Sequence, residues 1–232
     1  MEKDLHIYHH LGLGDHIICN AIVRIKSRLY ENIILFVKPH NYNSVKFMFR
    51  DISNISYVQG DDVGVNNYLM KNNPKNLLII GHHLLPPGFP RPFDILFYET
   101  VNIPYENRYL DFFVQRDLEE ENKLLDKLNI KEPYIFLHED LSRGLKLDRG
   151  KIKNKELRII ESSFDFLDNN KIPFFYYMSL IEKATEIHVM ESSFKALIDS
   201  YIPNKDNMFL HIGTKGDNNY SHSKDRSNWI II

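Results

Sequence analysis

Short apolar blocks recur along the chain, and polar stretches with a helical period separate them. Leu5 to His9, Asn32 to Val37 (NIILFV), Ile55 to Val58 and Leu77 to Ile80 (LLII) read as strands, the last bounded by Pro74 and Gly81. Between them, Ile17 to Leu29 reads as an amphipathic helix, with shorter helices over Ser44 to Arg50 and Val63 to Met70. Strands and helices alternating at this spacing predict a parallel sheet covered on both faces. Residues 82–92, HHLLPPGFPRP, form a loop beyond the fourth strand, and Phe93 to Glu99 turns helical again.

Asp117 to Leu128 (DLEEENKLLDKL) predicts a charged amphipathic helix that bridges two halves, because the alternation restarts after it. Tyr134 to His138 is the next strand. A polar, cation-rich loop runs from Glu139 to Gly150, and Glu156 to Ile160 fits strand or helix equally. Ile172 to Tyr176 has strand character and Tyr177 to Ala184 reads as helix. A buried strand ending at Met190 then meets Glu191-Ser192-Ser193. One of the serines caps a helix whose inner face is Phe194, Leu197, Ile198 and Tyr201. Met208 to Ile212 is a further strand, and Trp229 to Ile232 suits a last one. The expected organisation is residues 1–115, a bridging helix over 116–130, and residues 131–232, with the strands near 134–138, 186–190 and 208–212 forming a second parallel sheet.

Two turns carry candidate chemistry. A strand that runs into Glu191-Ser192-Ser193 at a helix start offers backbone N–H groups, the positive end of the helix dipole and two hydroxyls to one anion, although serines there also serve as plain caps. At the other end of the chain, His10-Leu-Gly-Leu-Gly-Asp15 places two glycines in a strand-to-helix turn, where backbone can approach a ligand closely. Gly12-x-Gly14 lacks the third glycine of a dinucleotide fingerprint, and no Gly-Lys-Ser/Thr of a P-loop is present. Asp15 suits a helix cap, a general base, or both. His9 and His10 point to opposite faces of a strand, which argues against a shared metal ion; no metal site is expected.

Composition narrows the class. The 232 residues suffice for one large or two small domains, and 43% apolar with 26% charged residues marks a globular chain. Its formal charge of −2 argues against a nucleic-acid partner. The single cysteine, Cys19, excludes an intramolecular disulfide and suits a reducing, cytoplasmic setting, with the residue itself in the core. The opening MEKDLHIYHH has no apolar signal-peptide region, and no apolar run approaches the ~20 residues of a membrane span.

His10-Leu-Gly-Leu-Gly-Asp15, Tyr134-Ile-Phe-Leu-His-Glu-Asp140 with Arg143-Gly144, and Ile181 to His188 running into Glu191-Ser-Ser-Phe194 together resemble GT-B glycosyltransferases, particularly the heptosyltransferase-like and polysaccharide-biosynthesis types. The resemblance implies an α/β protein of two small Rossmann-like halves facing a cleft. It implies an enzyme that moves a sugar from a nucleotide-diphosphate sugar to a glycan or other hydroxyl acceptor, with inversion and without a metal or further cofactor. Ser192, Ser193 and the Phe194 N–H would hold the diphosphate, Arg143 or Arg149 would add a charged fork, and Glu191 would meet the ribose. His138 falls on the same donor side. Asp15 would be the base, with His16 next to it, and Gly12, Gly14, His10 and His82 would lie on the acceptor side. For these residues the plain alternatives are solvated loop cations (Arg143, Arg149), a core histidine (His138) and a solvated pair (His82-His83). The competing functions are a non-catalytic nucleotide or sugar-phosphate binder, and a nucleotide-sugar epimerase or hydrolase.

Overall fold

The computed structural model describes residues 2–81, 92–131, 133–140, 144–162, 174–202, 204–212 and 228–232. The chain divides into two compact units, with the division between Gln115 and Arg116.

The first unit is built on β1 (Glu2–His9), β2 (Tyr30–Val37), β3 (Ile55–Gln59) and β4 (Leu77–Ile80), all parallel, in the order β3-β2-β1-β4. Ile7 pairs with Leu35 on one side and Leu78 on the other, so β1 is central. Ile7, Ile33, Leu35, Phe36 and Val37 are fully buried, as continuous apolar strands of a parallel sheet should be. The helices are α1 (Leu13–Ile18), α2 (Asn20–Ser27), α3 (Tyr42–Met48), α4 (Asp62–Asn72), α5 (Phe93–Thr100) and α6 (Asn107–Leu110). α4 begins where the Asp61 carboxylate accepts from the Gly64 N–H at 2.9 Å, and it ends where Asn73 turns left-handed at φ 41°.

The single helix expected over Ile17 to Leu29 is instead two. Helix begins four residues earlier, at Leu13, and Cys19 breaks it with φ −81° and ψ 3°. The Cys19 side chain is wholly buried, and Arg24 anchors α2 to its surroundings. Its guanidinium grips both oxygens of Asp51 at 2.8 and 2.9 Å and bonds the carbonyls of Met48 and Phe113. That side chain ties α2 to the ends of two other segments, a demand an ordinary amphipathic pattern does not reveal.

The second unit opens with Arg116 and α7 (Leu118–Lys127), followed by β5 (Tyr134–Leu137), β6 (Arg158–Glu161), α8 (Met178–Lys183), β7 (Glu186–Met190), α9 (Ser193–Tyr201), β8 (Met208–His211) and β9 (Trp229–Ile231). Its five strands are parallel, in the order β6-β5-β7-β8-β9. The ambiguous stretch near 156–160 and the C-terminal Trp229 to Ile231 are both strands. The strand expected over Ile172 to Tyr176 is not found in its described part: residues 174–177 form a 3-10 helix leading into α8, with Phe175 and Tyr177 buried in an aromatic cluster. Residues 172 and 173 lie outside the described residues.

The helix expected to bridge the halves packs within the second unit. Arg116 bonds Glu121, which is 1% exposed, and also reaches Glu182 at 2.7 Å, the Tyr201 hydroxyl and the Ser179 hydroxyl. Glu121 in turn accepts from the Ser179 N–H and O–H. One sheet face carries Phe136 against Tyr177 and Phe194, while Leu137 and Met190 on the other pack with Leu147 and Ile152 from the segment after β5. Among the described residues, no helix is long and apolar enough to cross a membrane.

Candidate functional site

In the second unit, the sequence around β7 and α9 places a helix start at the carboxyl end of a central parallel strand. That is where open α/β sheets bind ligands. β7 stops at Met190 and Glu191 makes the turn. Ser192 is the cap: its backbone is extended and its hydroxyl accepts from the Lys195 N–H at 3.5 Å. Ser193 is the first helical residue. The first N–H groups of a helix have no intrahelical acceptor, and they carry roughly half a positive charge.

The Phe194 side chain points inward, 1% exposed, with its ring 4.5 Å from His138 and 4.3 Å from Phe174. Only its backbone can serve an anion at the surface. His138 sits just past β5, buried, with Nδ1 2.6 Å from the Ser162 hydroxyl. The expected donor-side residues Ser192, Ser193, Phe194 and His138 therefore fall at the carboxyl end of two neighbouring strands of one sheet.

Arg149 does not fit the expected phosphate fork. Its guanidinium bonds Glu139 at 2.8 Å and Glu161 at 2.9 Å, so its charge is already answered by two carboxylates. Glu139 is the buried end of this clasp and also accepts from the Leu147 N–H. Burial pushes the Glu139 carboxyl up, but Arg149 and the Leu147 N–H outweigh it and leave the group below its ordinary value. The clasp holds the segment after β5 against the sheet. Arg143 and His82 lie outside the described residues.

Lys195 was absent from the expected site, and the structure buries it within the first turn of α9. Its ammonium lies 2.9 Å from Asp199 and 3.9 Å from Glu191, and the Trp229 indole N–H bonds Asp199 at 2.7 Å. The spacing Glu191-x3-Lys195-x3-Asp199 is the sequence signal that would have found it.

In the first unit, Gly12 holds the cap position before helix α1, without a side-chain cap bond, so Asp15 is not the cap residue. It occupies the first turn, where the helix dipole favours a carboxylate. A Cβ on Gly12 would sit 2.6 Å from Asp15 Oδ2, so the carboxylate itself fills the space that the glycine leaves. Gly14 lies inside the same turn. His10 packs over Gly81: a Cβ there would stand 2.6 Å from the His10 ring, and Gly81 has φ 138°, so this close approach requires glycine.

His16 is placed differently from a reacting group. It is fully buried, its ring set edge-on to His9 at 4.3 Å, and neither ring nitrogen has a hydrogen-bond partner. Burial, with the neighbouring His9, holds it well below the ordinary histidine value, and burial likewise lowers His9 to about 4. Among the described residues, no group of histidine, cysteine or carboxylate side chains is arranged to hold a metal ion.

Two units, each an α/β layer on a parallel sheet, define the class of fold. The particular likeness is to a solved structure, a glycosyl transferase family 9 protein from Veillonella parvula DSM 2008. The superposition has a TM-score of 0.59 at 9% identity and covers 100% of this chain and 85% of that one. At that identity the likeness establishes the fold. No protein-family model matches the chain, and no curated protein matches it.

Proposed function

We propose that the chain is a glycosyltransferase that moves a sugar from a nucleotide-diphosphate sugar to a hydroxyl acceptor. The observation that carries this reading is the Ser192-capped start of α9 at the carboxyl end of β7, in a chain that shares the fold of a glycosyl transferase family 9 structure. The diphosphate would lie on Ser193 and the first N–H groups of α9, with Glu191 beside the ribose. In the transfer, an acceptor hydroxyl oxygen bonds the anomeric carbon as the bond from that carbon to the diphosphate oxygen breaks. The hydroxyl proton passes to Asp15, and the helix start stabilises the charge left on the diphosphate. A single displacement of this kind inverts the anomeric carbon, and in this reading the helix start takes the place of a metal on the diphosphate.

A thermal-shift screen of UDP, GDP, ADP, CMP and their sugars tests the reading. A nucleotide at 100 times its dissociation constant should stabilise the protein by about 2.7 kcal/mol. Nucleotide binding without sugar transfer to any acceptor would identify the chain as a binding protein, and donor breakdown without an acceptor would identify a hydrolase.

A further inference from the structure

Three polar side chains of the second unit, outside the site described above, form one hydrogen-bonded line across β7 and β8. The Glu186 carboxylate is oriented by Asn154, whose amide donates to Oε1 at 3.1 Å. Its other oxygen lies 3.3 Å from His188 Nε2. His188 Nδ1 lies 3.0 Å from His211 Nε2, and the His188 ring is stacked flat on Phe209 at 4.5 Å. Both histidines are buried, and His211 Nδ1 has no hydrogen-bond partner.

The chemistry of these groups fixes every proton in the line. An ionised carboxylate only accepts, so His188 carries its proton on Nε2 and offers a lone pair at Nδ1. His211 must answer that lone pair with Nε2–H, and a neutral ring then has a bare Nδ1. Burial holds both rings neutral, His211 down at about 4. The charge of Lys155 acts on His188, and those of Lys151, Asp148 and Glu139 act on His211. A buried acceptor with no donor is costly, and native proteins satisfy such groups with a ligand or ordered water. His211 ends β8, in register with Met190, the residue before Glu191, and so sits at the ligand-binding end of the sheet.

We propose that Glu186, His188 and His211 form a tautomer-locking relay that holds the His211 Nδ1 lone pair ready for an N–H or O–H donor of the bound nucleotide; this rests on the donor-site reading above. His211 is the specificity residue. His188 and Glu186 are positioning residues that act through it.

Imidazole nitrogen NMR of the full-length, 15N-labelled protein at neutral pH tests this, without ligand and with saturating ADP, GDP, UDP or CMP. Both histidines should be Nε2-protonated, and the bare Nδ1 of His211 should move toward the hydrogen-bonded range with the nucleotide that binds. Glu186→Leu should mix the tautomers of both rings and weaken that nucleotide about tenfold, roughly the worth of one hydrogen bond. Glu186→Gln keeps an acceptor oxygen and should restore both. An Nδ1-protonated His211 in the wild type overturns the relay. A bare Nδ1 that does not move under a bound nucleotide overturns the ligand contact, leaving an acceptor for water alone. If no nucleotide binds the folded wild type, the donor-site reading fails and takes the ligand contact with it, while the ligand-free tautomers still decide the relay.

Discussion

Gly12→Ala separates catalysis from stability at Asp15. Gly12 has φ −72° and ψ 147°, which alanine adopts without strain, so the backbone does not object. The obstacle is one atom: the new Cβ would stand 2.6 Å from Asp15 Oδ2, at the end of a side chain that can rotate away. Losing the carboxylate from the first helical turn costs about 0.3–1 kcal/mol. Restricting the unfolded chain by replacing glycine returns about 0.4–1 kcal/mol. The net change in stability is therefore within about 1 kcal/mol of zero. Turnover should not be spared, because moving a base by about 1 Å costs on the order of 10²-fold. Urea unfolding and sugar transfer measured on the same preparation make the comparison, alongside Asp15→Asn and the double variant. Asp15→Asn should also lose ~10²-fold or more, and the double variant little beyond that. Wild-type turnover in Gly12→Ala would remove Asp15 from the chemistry. A stability loss well above 1 kcal/mol that accounts for the lost activity would make the carboxylate a structural group.

Other consequences are as direct. Arg116→Met leaves the buried Glu121 carboxylate without its cation and should cost about 3–5 kcal/mol in urea unfolding, with much of the loss recovered when Glu121→Leu is added. If the double variant is no more stable than the single, the ion pair is not the source of the loss. His9 has a folded value of about 4 against an ordinary 6.5, so the unfolded chain binds the extra proton between them. Stability should be whole above pH 6.5 and fall by about 1.4 kcal/mol per pH unit toward pH 4 for this group. A pH–stability slope unchanged in His9→Phe would contradict that assignment. Ser192→Ala should cost about 1 kcal/mol of stability as a lost cap and Ser193→Ala close to none, and equal melting temperatures for the two would place the cap elsewhere.

The strands that were legible are short apolar runs with polar ends, whereas β6, RIIE, has only two apolar residues and fitted strand or helix equally. NIILFV and LLII are too short for helices, and Pro74 and Gly81 bound the second, so the order of elements followed. The α9 start was legible for a local reason too: a serine cap acts within its own turn. What was not legible depends on distant partners. Nothing near Cys19 announces the helix break, and the partners that Arg24 finds in Asp51 and Phe113 lie far away in sequence. Arg149 looked available for a phosphate because Glu161 is twelve residues away in sequence but adjacent in space. The 3-10 turn at 174–177 has a strand's composition, and its Phe174 and Tyr177 rings pack on Phe194, a partner distant in sequence. His16 looked reactive beside Asp15, yet on a helix beginning at Leu13 it turns inward against His9.

The central claim is that α9 begins a nucleotide-diphosphate site, and titration calorimetry of nucleoside diphosphates against the wild type and Ser193→Ala tests it most directly. The account predicts that one diphosphate binds in a single site. It predicts that Ser193→Ala weakens that diphosphate by about 1 kcal/mol, or roughly fivefold, with the fold intact. Absence of binding by every diphosphate, or equal affinity in the two proteins, would contradict it.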